Sequence, residues 1–382
     1  MSRPTRVLFD AGDYSLSPQD VGGIGLRIAE LAETMAEECQ VRVLGPAASS
    51  SIDMGEAQYV GGVRAWPELL AETDAVLFFD MADRARLEDA VAARRLVISE
   101  NVAPIEHLEY PSLLVRPDPA AAYRPLVADY QRQLQVSHHF LCRSEVERAT
   151  LIANLCLTGR LAPRDIQMSR TLAHLVSLVP IGFSDRSASA MAAVAPDPLA
   201  DFLWTGGIWS FYDPMLLVDA VAVCRDRGRR ADTAFLYARR KADNAELVGD
   251  LASRIKELRI EDRVTLVDEP LPHDRRDAHL KAARAFISVA EPGAENQTCV
   301  RLRLRDSRLH GIPMVVDDFG GTANEVRRSG PGTVLSEATP QALATVLLHY
   351  LDDAPRRSGP NPAFRYQTTL QGFLSWLRTT TL

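Results

Sequence analysis

The stretch FLWTGGIWSFYDP, residues 202–214, runs from an apolar strand through two adjacent glycines and an aromatic loop into an Asp-Pro pair. It reads as the place where the first strand of an α/β series meets its helix, and there a parallel sheet presents its carboxyl edge to ligands. Adjacent glycines let the backbone approach a phosphate closely, and the amides and dipole of the next helix favour negative charge. A pyrophosphate is therefore a sensible guest for Gly206, Gly207 and Trp209. Two glycines also serve plain packing in a tight strand-to-helix turn, and that alternative stays open.

Working outward, apolar runs at 202–205, 233–238, 264–267, 285–289, 313–316 and 333–335 alternate with helical stretches. Six strands with crossovers imply a parallel doubly wound sheet. The N-terminal half repeats the rhythm: strands at 6–10, 41–45, 75–80, 95–99, 139–143 and 175–181, with helices at 25–38, 123–135 and 144–158. The fold class is α/β, with two Rossmann-like doubly wound domains. The expected boundaries are 1–183, a linker at 184–200 containing Pro196 and Pro198, a second domain at 201–360, and a C-terminal helix in 361–382 that is free to return to the first domain.

A chain of 382 residues suits two cores. Its 46% hydrophobic and 24% charged content describes a folded protein. The net charge of -7 is spread along the length without a dense basic patch, so nucleic acid is not an expected partner. The apolar segment ending at Asp10 is too short for a signal-peptide core or a membrane span, so a cytoplasmic location without membrane insertion is expected. Five scattered cysteines form no CxxC pair and read as reduced core thiols. His138 and His139 are adjacent on a strand, where they point to opposite faces, and no tightly bound metal is expected.

Three further segments carry chemistry. EPGAENQTCVRLRLRD, residues 291–306, puts acids in a loop and bases at a helix start. Its amides, with Asn296, Gln297 and Thr298, can meet one phosphate while Arg301 or Arg303 supplies a charge-assisted donor. Asp306 can accept from ribose hydroxyls, and Glu295 can contact a sugar; a merely solvated charged helix is the competing interpretation. VGGIGLR, residues 21–27, offers Gly22 and Gly23 either as a loop that closes over a bound group or as a plain helix start. After the strand at 95–99, Glu100, Glu106, His107 and Glu109 are candidates for contact with a second substrate, Glu100 and His107 foremost.

These positions resemble the retaining GT-B glycosyltransferases of the family-4 type. The resemblance rests on the GGIW…DP turn (Gly206, Gly207, Trp209, Asp213, Pro214) and the E-x5-R-x-R helix start (Glu295, Arg301, Arg303). Phe140, Cys142, Ser144, Glu145 and Arg148, with Gly159, Arg160 and Pro163, extend it over about residues 6–335. It implies two domains facing a central cleft, the second holding a nucleoside-diphosphate sugar, GDP or UDP being the commonest, and the first holding a small-molecule acceptor. It implies transfer with retention, the leaving diphosphate being stabilised by positive charge and amide dipoles. A separate base is not required if the departing phosphate oxygen takes the acceptor's proton. The family's two donor-side glutamates, with seven residues between them, fall here on Thr298 and Asp306, and Glu295 stands three residues before the first. The catalytic candidates are thus Glu100, His107 and Glu295.

The lack of a basic amphipathic stretch favours a soluble acceptor, in specialised metabolism, over a lipid. A homodimer stays open. Two other classes compete: a degenerate homologue that binds a sugar nucleotide as partner of another transferase, favoured by Thr298, and a nicotinamide-dependent oxidoreductase, disfavoured by the missing dinucleotide fingerprint.

Overall fold

The computed structural model describes residues 4–47, 50–100, 108, 111–241, 243–329, 332–353 and 357–380. The chain divides into two compact units, one of Met1–Leu108, Arg116–Asp185 and Pro362–Leu382, the other of Glu109–Val115 and Arg186–Asn361.

The first unit holds seven strands: β1 (Arg6–Asp10), β2 (Gln40–Gly45), β3 (Gln58–Gly61), β4 (Ala75–Phe79), β5 (Leu96–Glu100), β6 (His139–Cys142) and β7 (Val176–Leu178). All pair in parallel in the order β3-β2-β1-β4-β5-β6-β7. Alternation along β1 feeds two cores. Phe9 joins Val43, Leu77 and Ile98 on one face, while Leu8 joins Leu44, Val76, Phe78 and Val97 on the other. The C-terminal helix Gln371–Thr379 covers the first face with Phe373, Leu374 and Leu377, each burial of this kind contributing about 1.5–3 kcal/mol. Strand β3 has no counterpart in the sequence reading. It is a four-residue edge strand whose ends are exposed and whose middle, Tyr59 and Val60, is only half-buried, so it carries no apolar signature.

The second unit holds β8 (Phe202–Gly207), β9 (Thr233–Tyr237), β10 (Val264–Leu266), β11 (Ala285–Ser288), β12 (Met314–Val316) and β13 (Gly332–Val334), parallel in the order β10-β9-β8-β11-β12-β13. Within the expected linker, residues Asp185–Ala193 form a helix, and extended chain carrying Pro196 and Pro198 follows it. The helix ends on Lys281, whose Nζ donates to the carbonyls of Met191 (2.9 Å), Ala192 (3.2 Å) and Val194 (2.6 Å), a cation placed where a helix leaves its last acceptors unpaired.

Candidate functional site

In each sheet the strand order reverses once, between β1 and β4 in the first unit and between β8 and β11 in the second. Ligands of open α/β sheets sit outside the carboxyl ends of the strands at such points.

At the β8/β11 point, Asp213 caps the helix Pro214–Asp226 by accepting from the Leu216 amide at 2.9 Å, with Pro214 at the first helical position. The loop before it packs Trp204, Phe211 and Tyr212 edge to face, with centroids 5.6 and 4.8 Å apart. Two guanidiniums lie on these rings. Arg301 is 4.9 Å from Phe211 and 4.6 Å from Tyr212; Arg303 is 4.8 Å from Trp204 and 4.1 Å from Tyr212.

Their electrostatics differ. Arg301 makes a two-pronged ion pair with buried Glu295. Burial opposes the Arg301 charge, but Tyr212 and Glu295 outweigh it and hold the group above its ordinary value. Arg303 has no carboxylate partner among the described residues. Its Nη2 donates to the Gly207 carbonyl at 2.5 Å, while Nη1 is buried without any partner. Burial lowers its pKa, and neighbouring Arg301 adds to the effect. An arginine remains charged under such a shift, so Arg303 is a buried cation in want of an anion.

The glycines follow from this. A Cβ on Gly206 would lie 2.1 Å from Arg303 Nε, and one on Gly207 would lie 2.8 Å from Trp209 Nε1. Asn296 ties the two loops together, its Nδ2 donating to the carbonyls of Phe211 (2.8 Å) and Glu291 (2.6 Å). Gln297 is exposed, and Thr298 Oγ1 turns back to the Ala294 carbonyl at 3.0 Å. Asp306 is buried between Arg276 (2.5 Å) and Arg305 (3.3 Å). Burial alone would raise its pKa, but Arg276 and Arg305 hold it below the usual carboxylate value.

The first-unit candidates fall as follows. Glu100 ends β5 and accepts from Arg27 Nε at 2.6 Å and Nη2 at 2.8 Å, both side chains buried. Arg27 also donates to Tyr366 Oη (2.9 Å) and the Val179 carbonyl (2.8 Å). Gly22 precedes the helix Gly23–Ala36, and a side chain there would meet nothing; the sterically required glycine is Gly25, whose Cβ would lie 2.3 Å from the Ser15 carbonyl. His107, Glu106 and Glu109 lie outside the described residues. His138 and His139 are committed separately, His138 Nδ1 accepting from the Val97 amide at 3.0 Å and His139 Nε2 meeting Ser177 Oγ at 2.8 Å. Among the described residues no three His, Cys, Asp or Glu gather as metal ligands, and no helix is long and apolar enough to cross a membrane.

The sequence reading passed over the loop after β12. Gly320 has φ +76°, and a Cβ on it would be 2.0 Å from the Asn296 carbonyl. Thr322 Oγ1 accepts from the Arg301 amide at 3.1 Å, and Asp317 accepts from the amides of Ala290 (2.9 Å) and Phe319 (3.0 Å). Thr322, Asp317, Ala290 and Phe319, with Ser288, Asn296 and Arg301, line a cavity of about 10 Å³, room for about one water. The signal was available: Gly320-Gly321 follows an apolar strand after Asp317, Asp318 and Phe319, where Gly206-Gly207 ends one.

No family model and no curated protein matches the chain. Solved structures do. Anabaena HepE (Alr3699), in complex with UDP and glucose, is similar at TM-score 0.63 and 15% identity over 98% of this chain and 100% of that one. The trehalose-6-phosphate synthase OtsA gives TM-score 0.63 and 11% identity over 99% and 100%. AviGT4, a glycosyltransferase involved in avilamycin A biosynthesis, gives 0.55 and 15% over 98% and 97%. At such identities the likeness concerns the fold, and with two parallel sheets of seven and six strands in succession, the chain has the GT-B fold of these glycosyltransferases.

Proposed function

We propose that the chain is a retaining glycosyltransferase of the family-4 type, moving a sugar from UDP- or GDP-sugar to a soluble small-molecule acceptor in the cytoplasm, in specialised metabolism. The observation that carries the reading is Arg303, a buried guanidinium with an unused Nη1 at the β8/β11 point, beside ion-paired Arg301. A diphosphate supplies the missing anion, and the charge there grows as the sugar leaves, so the same donors stabilise the departing group more than the bound one. The bond from the anomeric carbon to the phosphate oxygen breaks, the bond to the acceptor oxygen forms on the same face, and the acceptor's proton passes to the diphosphate. HepE supports UDP as the base to try first, since it was solved with UDP and with UDP-glucose. AviGT4, through its named biosynthetic role, supports specialised metabolism.

One observation favours a second reading, a sugar-nucleotide-binding partner of another transferase: Glu295 and Asp306 are both engaged by arginines, and Thr298 carries no acid. The deciding experiment is thermal stabilisation by UDP, GDP, ADP, TDP and NAD, followed by donor turnover. A shift with one diphosphate and slow donor hydrolysis supports the enzyme. A shift without turnover supports the partner, and a shift with NAD alone, or none, removes both.

A further inference from the structure

Asp306 is the only acid of the helix Leu304–His310, and from the first turn of that helix a free carboxylate can accept from the hydroxyls of a ribose. The structure spends it elsewhere. Its Oδ2 accepts from Arg276 Nη2 at 2.5 Å and its Oδ1 from Arg305 Nη1 at 3.3 Å, so each oxygen already faces a guanidinium.

The two arginines are themselves anchored. Arg276 stands in the helix His273–Ala282, and its Nη1 reaches Asp277 Oδ1 at 3.4 Å. Tyr237, which ends β9 and pairs with Gly207 of β8, lies beside it. Arg305 also meets Ser187 Oγ at 3.4 Å. The side chains of Asp306 and Arg276 are only 3% and 6% exposed, so a ligand hydroxyl could reach the carboxylate only by displacing a buried guanidinium. That would leave Arg276 and Arg305 facing one another without the negative charge between them.

This arrangement removes a means of discrimination. A site built to hydrogen-bond a substrate hydroxyl rejects the analogue that lacks it by about 10⁴–10⁵-fold, because the group meant for the hydroxyl is left unpaired. Asp306 is paired within the protein, and a ligand without the hydroxyl leaves it no worse off. Binding then rests on the diphosphate, which the unused Nη1 of Arg303 suits and which is the same in the ribo and deoxyribo series.

We infer that the nucleotide site does not read the ribose 2′-hydroxyl, and that sugars carried on 2′-deoxyribonucleoside diphosphates, the class that includes thymidine diphosphate, are donors on a par with their ribo counterparts. The inference rests on the glycosyl-transfer reading and widens its donor class beyond UDP and GDP. Asp306 is then a residue that holds two arginines in place, not a ligand of the nucleoside.

Calorimetric titration of the wild-type chain compares UDP with 2′-deoxy-UDP and GDP with 2′-deoxy-GDP, pairs that differ only in that hydroxyl. For whichever base binds, the two affinities are expected to differ by less than about tenfold; a larger preference for the ribo form overturns the inference. Asp306→Asn gives a second measurement. It lowers the unfolding midpoint and changes both affinities by the same factor, whereas a selective loss of the ribo form assigns Asp306 to the ribose and overturns the inference. Should that variant not fold, the wild-type comparison decides alone. A chain that binds none of the four diphosphates fails differently: the donor reading falls, and this inference with it.

Discussion

The guanidinium of Arg303 lies across the backbone of Gly206, so close that a methyl group there would sit 2.1 Å from Nε. The glycine is thus needed for a cation that stands where the sheet order reverses. Gly206→Ala must push Arg303 off Tyr212 and away from the Gly207 carbonyl. We expect a stability loss of about 1–3 kcal/mol from overpacking. Affinity for the stabilising diphosphate falls at least tenfold, read by calorimetric titration; unchanged affinity would separate Arg303 from the ligand.

Arg303→Lys keeps a charge but loses the planar fork and its stacking on Trp204 and Tyr212. Diphosphate affinity is expected to drop about ten- to a hundredfold, with thermal stability in the absence of ligand lowered as well, because the ammonium is still a buried cation and loses the stacking on both rings.

Glu295 separates a structural from a catalytic acid. Glu295→Gln leaves Arg301 buried without its counter-charge, for which a loss of about 3–5 kcal/mol is expected. Urea denaturation checks it. A wild-type midpoint combined with lost turnover would instead assign Glu295 to chemistry.

The pair Arg27 and Glu100 makes a parallel case in the first unit. Glu100→Gln is expected to cost about 3–5 kcal/mol, and Arg27→Met in the same chain to recover part of that, because the second change removes the uncompensated charge. A double-mutant cycle on the unfolding midpoint decides it; additive losses would deny the coupling.

Two buried histidines set an acid sensitivity. Burial pushes His310 down to about 4 and His139 down to about 3. Each stays neutral in the folded chain while the unfolded chain takes up a proton below about 6.5, so stability is full above that pH and is lost as pH falls towards 4. His310 accounts for a loss on the order of 3 kcal/mol across the window. His310→Gln should flatten the curve of unfolding free energy between pH 6.5 and 4; an unchanged slope would place a proton on the folded imidazole.

The two α/β series were legible because a parallel strand buried on both faces is a continuous apolar run, as 75–79 and 285–288 are, whatever the chain does elsewhere. Gly206-Gly207 and the Arg301/Arg303 pair were legible too, as residue types that suit an anion at a sheet's carboxyl edge. Their partners were not. Glu295 on Arg301, Asp306 between Arg276 and Arg305, and Glu100 on Arg27 are contacts between residues 6, 30 and 73 positions apart in their longest members, and no local pattern encodes which charge meets which. The glycines show the same division. The run at 21–25 marks a helix start, but only the packed structure tells that Gly25, against the Ser15 carbonyl, is the one that cannot change. The amino-acid order by itself determined the elements and the chemistry available at their ends, because those depend on neighbours in sequence. Which of those groups are spent on one another, and which, like Arg303 Nη1, are not, is decided by distances that exist only once the sheets have formed.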